Sequence, residues 1–243
     1  MLKRTFTLTS FILLSFAAQA NTPSVETMQN QLVKAIPEIN VDSVKPAPIA
    51  GFYEVTSGPA ILYVSQNGQY IFYGELLEVK DHQVTSLTDN TRKAYVKTAL
   101  EKIDPKTFIK FPATGKEKAV VYMGTDVDCG YCGKLHQEIP ALNAAGITVN
   151  YIAFPRTPKG TPSYEKSVGI WCAKDPKKTI DDVFKGGAVP EKSADCKDPF
   201  ASHTAFISNI GASATPVIIL QDGTVIPGYM PADSLIAMVL KSQ

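Results

Sequence analysis

Ala119-Val120-Val121-Tyr122-Met123-Gly124-Thr125-Asp126-Val127-Asp128-Cys129-Gly130-Tyr131-Cys132 carries the chain from a strand-like apolar run straight into two cysteines. The run over 119–123 suits a buried strand, and residues 129–144 have helical character. Ile147 to Phe154 reads as a second strand, so the three together predict a βαβ unit with parallel strands and a right-handed crossover. Both cysteines fall at the start of its helix, where positions i and i+3 share a face and lie close enough for a disulfide. Cys129 also meets the open N–H groups and the dipole of the helix N-terminus, which favour a thiolate, the nucleophile of disulfide exchange.

A zinc site, a purely structural bridge and accidental spacing compete with a redox pair. Zinc needs two further ligands, yet Cys172 and Cys196 stand far apart in sequence, and the histidines available are His82, His136 and His203. A bridge closing so short a loop would constrain little of the unfolded chain. C-x-x-C inside a βαβ unit is the thioredoxin-like redox pattern, so no metal is expected. His136, on roughly the same helix face as Cys129, is expected as a polar surface residue and not as a group tuning the thiolate. Trp171 is expected in the core, and Lys174, Lys177 and Lys178 on a solvated face.

Downstream, Val217 to Leu220, the Asp222-Gly223 turn and Thr224 to Ile226 predict a hairpin, and Ser234 to Leu240 a closing helix. Residues 160–210 read as mostly helical, with breaks at Pro162, Pro176, Pro190 and Pro199.

Upstream the texture changes. Val25, Met28, Leu32 and Ile36 predict a short amphipathic helix from 24 to about 40, followed by a strand from Gly51 to Thr56. Asn67-Gly68 between two β-rich runs is the strongest hairpin signal in the chain. A two-residue turn there sets Val64 opposite Ile71, Leu62 opposite Tyr73 and Tyr63 opposite Phe72, which makes both faces apolar. A domain of about 60 residues has no core large enough for so much apolar strand surface, so part of it is expected to meet another chain or a ligand. A helix covering one face is the alternative. Thr91 to Ile103 predicts a helix joining this cysteine-free part to the rest.

The 243 residues hold 24 Lys+Arg against 23 Asp+Glu, with 44% hydrophobic and 19% charged, a composition that excludes disorder, collagen and a multi-span membrane protein. No Lys/Arg block stands out and the net charge is +1, so no nucleic-acid partner is expected. Lys3 and Arg4, the apolar stretch Phe11 to Ala18 and Ala18-Gln19-Ala20 predict a signal peptide over residues 1–20, cleaved after Ala20. The mature chain then has net charge −1 and reaches an oxidising compartment, where disulfides persist.

TDVDCGYCGKLHQE (125–138), ITVNYIAFPR (147–156), GIWCAKD (169–175), SATPVIILQDGTVIPGY (213–229) and PAPIAGFYEV (46–55) together resemble the DsbC/DsbG family of periplasmic thiol:disulfide isomerases. The resemblance spans nearly the whole mature chain. It implies an α+β and α/β fold: an N-terminal cystatin-like dimerisation domain (21–85), a linker helix (86–105) and a thioredoxin-fold catalytic domain with a helical insertion (106–243). It further implies a V-shaped homodimer in the periplasm, with Cys129 and Cys132 as catalytic residues facing a cleft. Misoxidised periplasmic proteins would be its substrates and the inner-membrane reductase DsbD its electron donor, with no cofactor and with chaperone activity alongside. Gly130-Tyr131 matches the isomerase branch, since DsbG has Pro-Tyr there. Asp128 departs from the usual Thr, and a carboxylate beside Cys129 opposes thiolate formation.

Taken alone, Thr215-Pro216 fits a cis bond or a trans proline opening a strand equally well. The resemblance implies the cis form beside the cysteines, with the Thr215 backbone free to pair with a substrate strand. Cys172 and Cys196, the remaining cysteines, are expected as a structural disulfide in the insertion, where Pro176, Gly186-Gly187 and Pro190 let the chain double back. Two other functions compete with isomerisation. One is a DsbA-type oxidase, usually monomeric and without the N-terminal domain; the other is a DsbG-like reductase or chaperone binding module.

Overall fold

The computed structural model describes residues 23–190 and 196–242; the expected signal peptide and its cleavage after Ala20 lie outside the described residues. Helix α1 (Val25–Ala35) opens at Ser24, whose Oγ accepts the Thr27 N–H at 3.1 Å and satisfies one open donor of the first turn. It stops at Ala35 and not near 40, because a residue before proline, here Ile36 before Pro37, is pushed out of helical geometry. Met28 and Leu32, one turn apart, pack against Val44, Tyr53, Val55 and Val64. These belong to an antiparallel sheet of β1 (Ser43–Pro46), β2 (Phe52–Ser57), β3 (Ala60–Ser65) and β4 (Ile71–Tyr73), paired in chain order.

The Asn67-Gly68 turn sets the register read from sequence: Leu62 pairs with Tyr73, Tyr63 with Phe72 and Val64 with Ile71. Gly68, at φ +69°, supplies the left-handed residue that this turn needs. Whereas β3 is largely buried, Ile71, Phe72 and Tyr73 on β4 stay 43, 52 and 74% exposed. A second hairpin, of which periodicity gives no sign, joins β5 (Leu77–Lys80) to β6 (Gln83–Ser86) and leaves Leu77, Val79 and Val84 exposed as well.

Helix α2 (Leu87–Leu100) begins four residues before the expected Thr91. Ser86 caps it, with Oγ accepting the Asp89 N–H at 3.0 Å, and the polar first turn hides this start from any hydrophobic pattern. The helix is shared between the two halves. Its Thr88 hydroxyl lies 2.7 Å from the buried Tyr63 hydroxyl, while Val96 and Leu100 enter the core of the second domain beside Ile152, Phe206 and Ile219.

That domain contains β7 (Ile109–Phe111), β8 (Ala119–Thr125), β9 (Ile147–Ala153), β10 (Val217–Leu220) and β11 (Val225–Pro227), laid out in the order β11-β10-β8-β9-β7. Only the β8–β9 pair is parallel, as the βαβ reading requires. The single helical stretch expected over 129–144 is instead α3 (Gly130–His136) and α4 (Ile139–Ala144). Pro140 lacks an N–H to donate, so it sits in the first turn of a new helix. Helices α5 (Pro162–Trp171) and α6 (Pro176–Phe184) form the insertion, each again with proline in its first turn. Cys172 and Cys196 are joined there by a disulfide with the Cα atoms 5.6 Å apart.

Trp171 is half-buried and not a full core residue. Its Nε1–H donates to the Thr107 carbonyl at 3.2 Å, and its ring meets Phe200 edge-on. Lys174, Lys177 and Lys178 are exposed. Helix α7 (Phe200–Asn209) covers one sheet face together with α2; α3, α4 and α8 (Ala232–Lys241) cover the other through Leu135, Leu142 and Leu235. At the β10–β11 turn, Gly223 (φ +90°) lies so near the Lys93 carbonyl of α2 that a Cβ would collide with it. No helix among the described residues is long and apolar enough to cross a membrane.

His203 on α7 ties this domain together from inside. Fully buried, it accepts the Ala153 N–H at Nδ1 (3.0 Å), while Nε2 lies 2.8 Å from the Thr107 hydroxyl, so a neutral ring protonated on Nε2 satisfies both partners. A second proton would break the Ala153 bond and place a charge in the core, and burial accordingly pulls the pKa from 6.5 down to about 4. Between those values the unfolded chain binds a proton that the folded chain refuses, so stability falls as pH drops through the window. The expected loss is roughly 3 kcal/mol between pH 6.5 and 4. Urea unfolding at pH 7 and pH 4.5 should show this decline, and His203→Gln should flatten it.

Candidate active site

Thr125 ends β8 and Gly130 begins α3, so the intervening loop must deliver Cys129 to the first position of a helix. Asp126, 1% exposed, organises that loop. Its carboxylate accepts the Asp128 N–H at 2.8 Å, the Arg156 N–H at 2.9 Å and the Arg156 Nε–H at 3.0 Å, while its carbonyl accepts the Cys129 N–H at 3.1 Å. Arg156 follows β9, the parallel neighbour of β8, and its Nη2 reaches back to the Asp128 carbonyl at 3.2 Å. The loop is thereby tied to both parallel strands.

Cys129 caps α3 with its sulfur, Sγ accepting the Cys132 N–H at 3.4 Å. Both cysteines are buried free thiols, and Cys129 retains 6% exposure against 1% for Cys132. Thr215-Pro216 is cis, and the Thr215 carbonyl lies 3.4 Å from Cys129 Sγ. Burial works to raise the Cys129 pKa. The donors gathered around Sγ, among them the Cys132 N–H, outweigh it and hold this thiol below its ordinary value. Cys132 has no such surplus of donors, and burial pushes it up to about 12. The Arg156 guanidinium is held in its charged form, chiefly by its hydrogen bond to Asp126, and adds positive potential next to both sulfurs.

Asp128 is the charge expected to oppose the thiolate, but the structure neutralises it. Lys166 of α5 forms an ion pair with its carboxylate and holds its pKa below the ordinary value, assisted by the charge of Arg156. The expectation for His136 is overturned outright. Instead of lying on the surface it is 8% exposed, with Nδ1 3.0 Å from the Tyr151 hydroxyl, Nε2 3.0 Å from the Asp181 carboxylate and its ring 4.6 Å from that of Phe184. The insertion folds back over α3 and covers it. Burial lowers its pKa, against the pull of Asp181.

The structure thus brings Cys129, Cys132, Thr215 and Pro216 together and sets Cys172 and Cys196 apart in the insertion. Asp126, Arg156 and Lys166 belong to no motif of their own. Asp126 and Arg156 had one available signal: both follow the C-terminal ends of the two parallel strands, where α/β sheets gather their functional groups. No cluster of three or more His, Cys, Asp or Glu side chains among the described residues is arranged to hold a metal ion.

A family model of the disulfide bond isomerase protein N-terminal domain matches residues 16–89, and a thioredoxin-like domain model matches residues 105–243. The thiol:disulfide interchange protein DsbC of Escherichia coli K12 is 38% identical over 195 residues, covering 79% of this chain and 78% of its own length. Its counterpart in Dickeya dadantii is 33% identical over 226 residues, covering 93% and 90%. That of Haemophilus influenzae is 33% identical over 200 residues, covering 80% and 82%. With both halves of the chain matched and a C-x-x-C pair at the start of α3, this chain belongs to the DsbC family of thiol:disulfide interchange proteins and is a disulfide isomerase.

Proposed function

We propose that Cys129 is the attacking thiol of this isomerase and Cys132 its resolving thiol. The position of Cys129 at the open end of α3 carries this assignment: its sulfur caps the helix and is the more exposed of the two, and donors there hold it toward the thiolate, while burial raises the pKa of Cys132 to about 12. The Cys129 thiolate attacks one sulfur of a wrong disulfide, forming a mixed disulfide and expelling the other substrate sulfur as a thiolate. A third substrate thiolate then attacks the substrate sulfur of that bond, which makes a new pairing and returns the Cys129 thiolate, so no electrons are gained or lost overall. If none arrives, Cys132 gives up its proton and attacks Cys129 Sγ, leaving an oxidised enzyme and a substrate two electrons more reduced. Thr215, whose carbonyl faces Cys129, pairs with the substrate strand beside Pro216.

Repeated isomerisation needs the pair kept reduced, and DsbD in the inner membrane is the proposed donor, with misoxidised periplasmic proteins as clients. The proposed mature chain starts after Ala20 in the periplasm, with a dimerisation domain (21–85), a linker (86–105) and a catalytic domain (106–243). Cys172 and Cys196 serve stability, away from the reacting sulfurs. A homodimer through the N-terminal domain is supported by the concentration of exposed apolar side chains in residues 70–84, from Ile71 at 43% to Val79 at 76%, around an unpaired strand edge at β4.

Cys129→Ser should abolish reduction and isomerisation alike. Cys132→Ala should accumulate mixed disulfides through Cys129 on non-reducing gels and keep partial isomerisation; trapping by the Cys129 variant instead would reverse the roles. Removing the cation beside Asp128 with Lys166→Met should raise the Cys129 titration midpoint by about 0.5 pH unit, as for a half-exposed ion pair, and adding Asp128→Thr should restore it. Alkylation rates against pH read both. In sedimentation at micromolar concentration the native chain should run as a dimer and Phe72→Asp/Val79→Asp as a folded monomer.

A further inference from the structure

Cys129 is 6% exposed, so an incoming disulfide reaches its sulfur only across the groups around it. On one side stands the Thr215 backbone. Gly228 N–H donates to the Pro216 carbonyl at 2.8 Å, which brings the residue after it, Tyr229, to the neighbourhood of the cis-proline. The Tyr229 ring lies 6.1 Å from that of Tyr131, the residue between the two cysteines, and the planes are inclined by 30°. Tyr131 is 64% exposed and has no hydrogen bond at its hydroxyl among the described residues.

Tyr229, by contrast, is fixed. Its hydroxyl donates to the Glu138 carboxylate, which also takes the Ala232 N–H at the start of α8, and Lys134 Nζ sits 4.3 Å from its ring centroid. One aromatic ring is therefore held rigidly at the rim of the thiol site and a second, open one leans toward it. Tyr229 is half-buried and rests against the core cluster that contains Tyr151, whereas Tyr131 lies outside it.

We infer that Tyr131 and Tyr229 form a specificity subsite that takes an aromatic side chain next to the substrate cysteine. An aromatic ring in contact with either tyrosine gains offset or edge-to-face packing, and it buries apolar area that is open to water in the free enzyme. Lys134, already stacked on Tyr229, adds a cation within reach of a further π face. The subsite acts on the attack step, because a ring seated there holds the neighbouring sulfur of the substrate against Cys129. The inference rests on the assignment of Cys129 as the attacking thiol and adds to it the side-chain class preferred beside the reacting sulfur.

The test uses the full-length reduced protein and mixed disulfides of glutathione with short peptides, each carrying Trp or Ala immediately before or after the cysteine. The readout is the ratio of thiolysis rates, Trp over Ala, on each side. The native protein should favour Trp on one side by roughly threefold to tenfold, the span of a single aromatic contact. Tyr229→Leu and Tyr131→Leu should each bring the ratio close to one, while Tyr229→Trp should retain the preference. Taking a ratio cancels any general loss of reactivity or folded fraction in a variant. A native ratio of one on both sides, or a preference that survives both leucine substitutions, overturns the subsite. A native protein that attacks none of the peptides overturns the assignment of Cys129 and this inference with it, an outcome distinct from a lost preference.

Discussion

A sulfur atom stands where helix α3 would ordinarily have a capping oxygen, and most of what is special about this molecule follows from that substitution. The Cys129 side chain has to answer the open N–H of Cys132, so it is drawn against the helix start and out of bulk water. Withdrawal from water disfavours a thiolate, while the donors that forced it favour one, and here the donors prevail. Three residues further in, burial outweighs the donors, and Cys132 moves the opposite way. A pair with the same chemistry at both ends is made unlike by less than one turn of helix. The framework holding it is electrostatic: Asp126 is compensated by Arg156, and Asp128 by Lys166, so two carboxylates approach a reactive sulfur without opposing its ionisation.

The rest of the chain serves the position of that loop. Parallel pairing of β8 with β9 brings Arg156 beside Asp126, and antiparallel pairing of β10 with β8 sets Val217 opposite Gly124, which lands Thr215 on Cys129. A Cβ at Gly124 would press into the Val217 and Ile207 side chains and force them to shift. The insertion closes over α3 from outside and seals His136 between Tyr151 and Asp181. The N-terminal sheet follows another logic: a single helix covers one face, and the apolar strand left over stays at the surface.

Whatever depended on neighbours in sequence was legible in it. The C-x-x-C at a strand-to-helix junction, the Asn67-Gly68 turn with its three cross-strand pairs, and the breaks at Pro162 and Pro176 are local, so residue type and spacing suffice. The surface position expected of His136 fails because both its partners come from elsewhere in the chain, Tyr151 from β9 and Asp181 from α6, and no helical periodicity reports a cover supplied by an insertion. His203 escaped notice for the same reason, since its neutral state is fixed by Thr107 and Ala153. The start of α2 was hidden by a polar first turn, and the β5–β6 hairpin by a turn built on Asp81 and His82 in left-handed conformation without a glycine.

The contact of Gly223 with the Lys93 carbonyl makes α2 a strut and not a tether. At one end of this helix Thr88 touches Tyr63 of the first sheet; further along, Val96 and Leu100 are set into the second domain. The hairpin resting on its middle is the one that presents Thr215 to Cys129. The two domains are therefore indexed to each other by helical phase: one residue inserted between Thr88 and Val96 would advance the first sheet by about 1.5 Å and turn it by roughly 100° about the helix axis. In a chain built this way, the number of residues in a single helix sets the direction in which the N-terminal surface faces relative to the thiol.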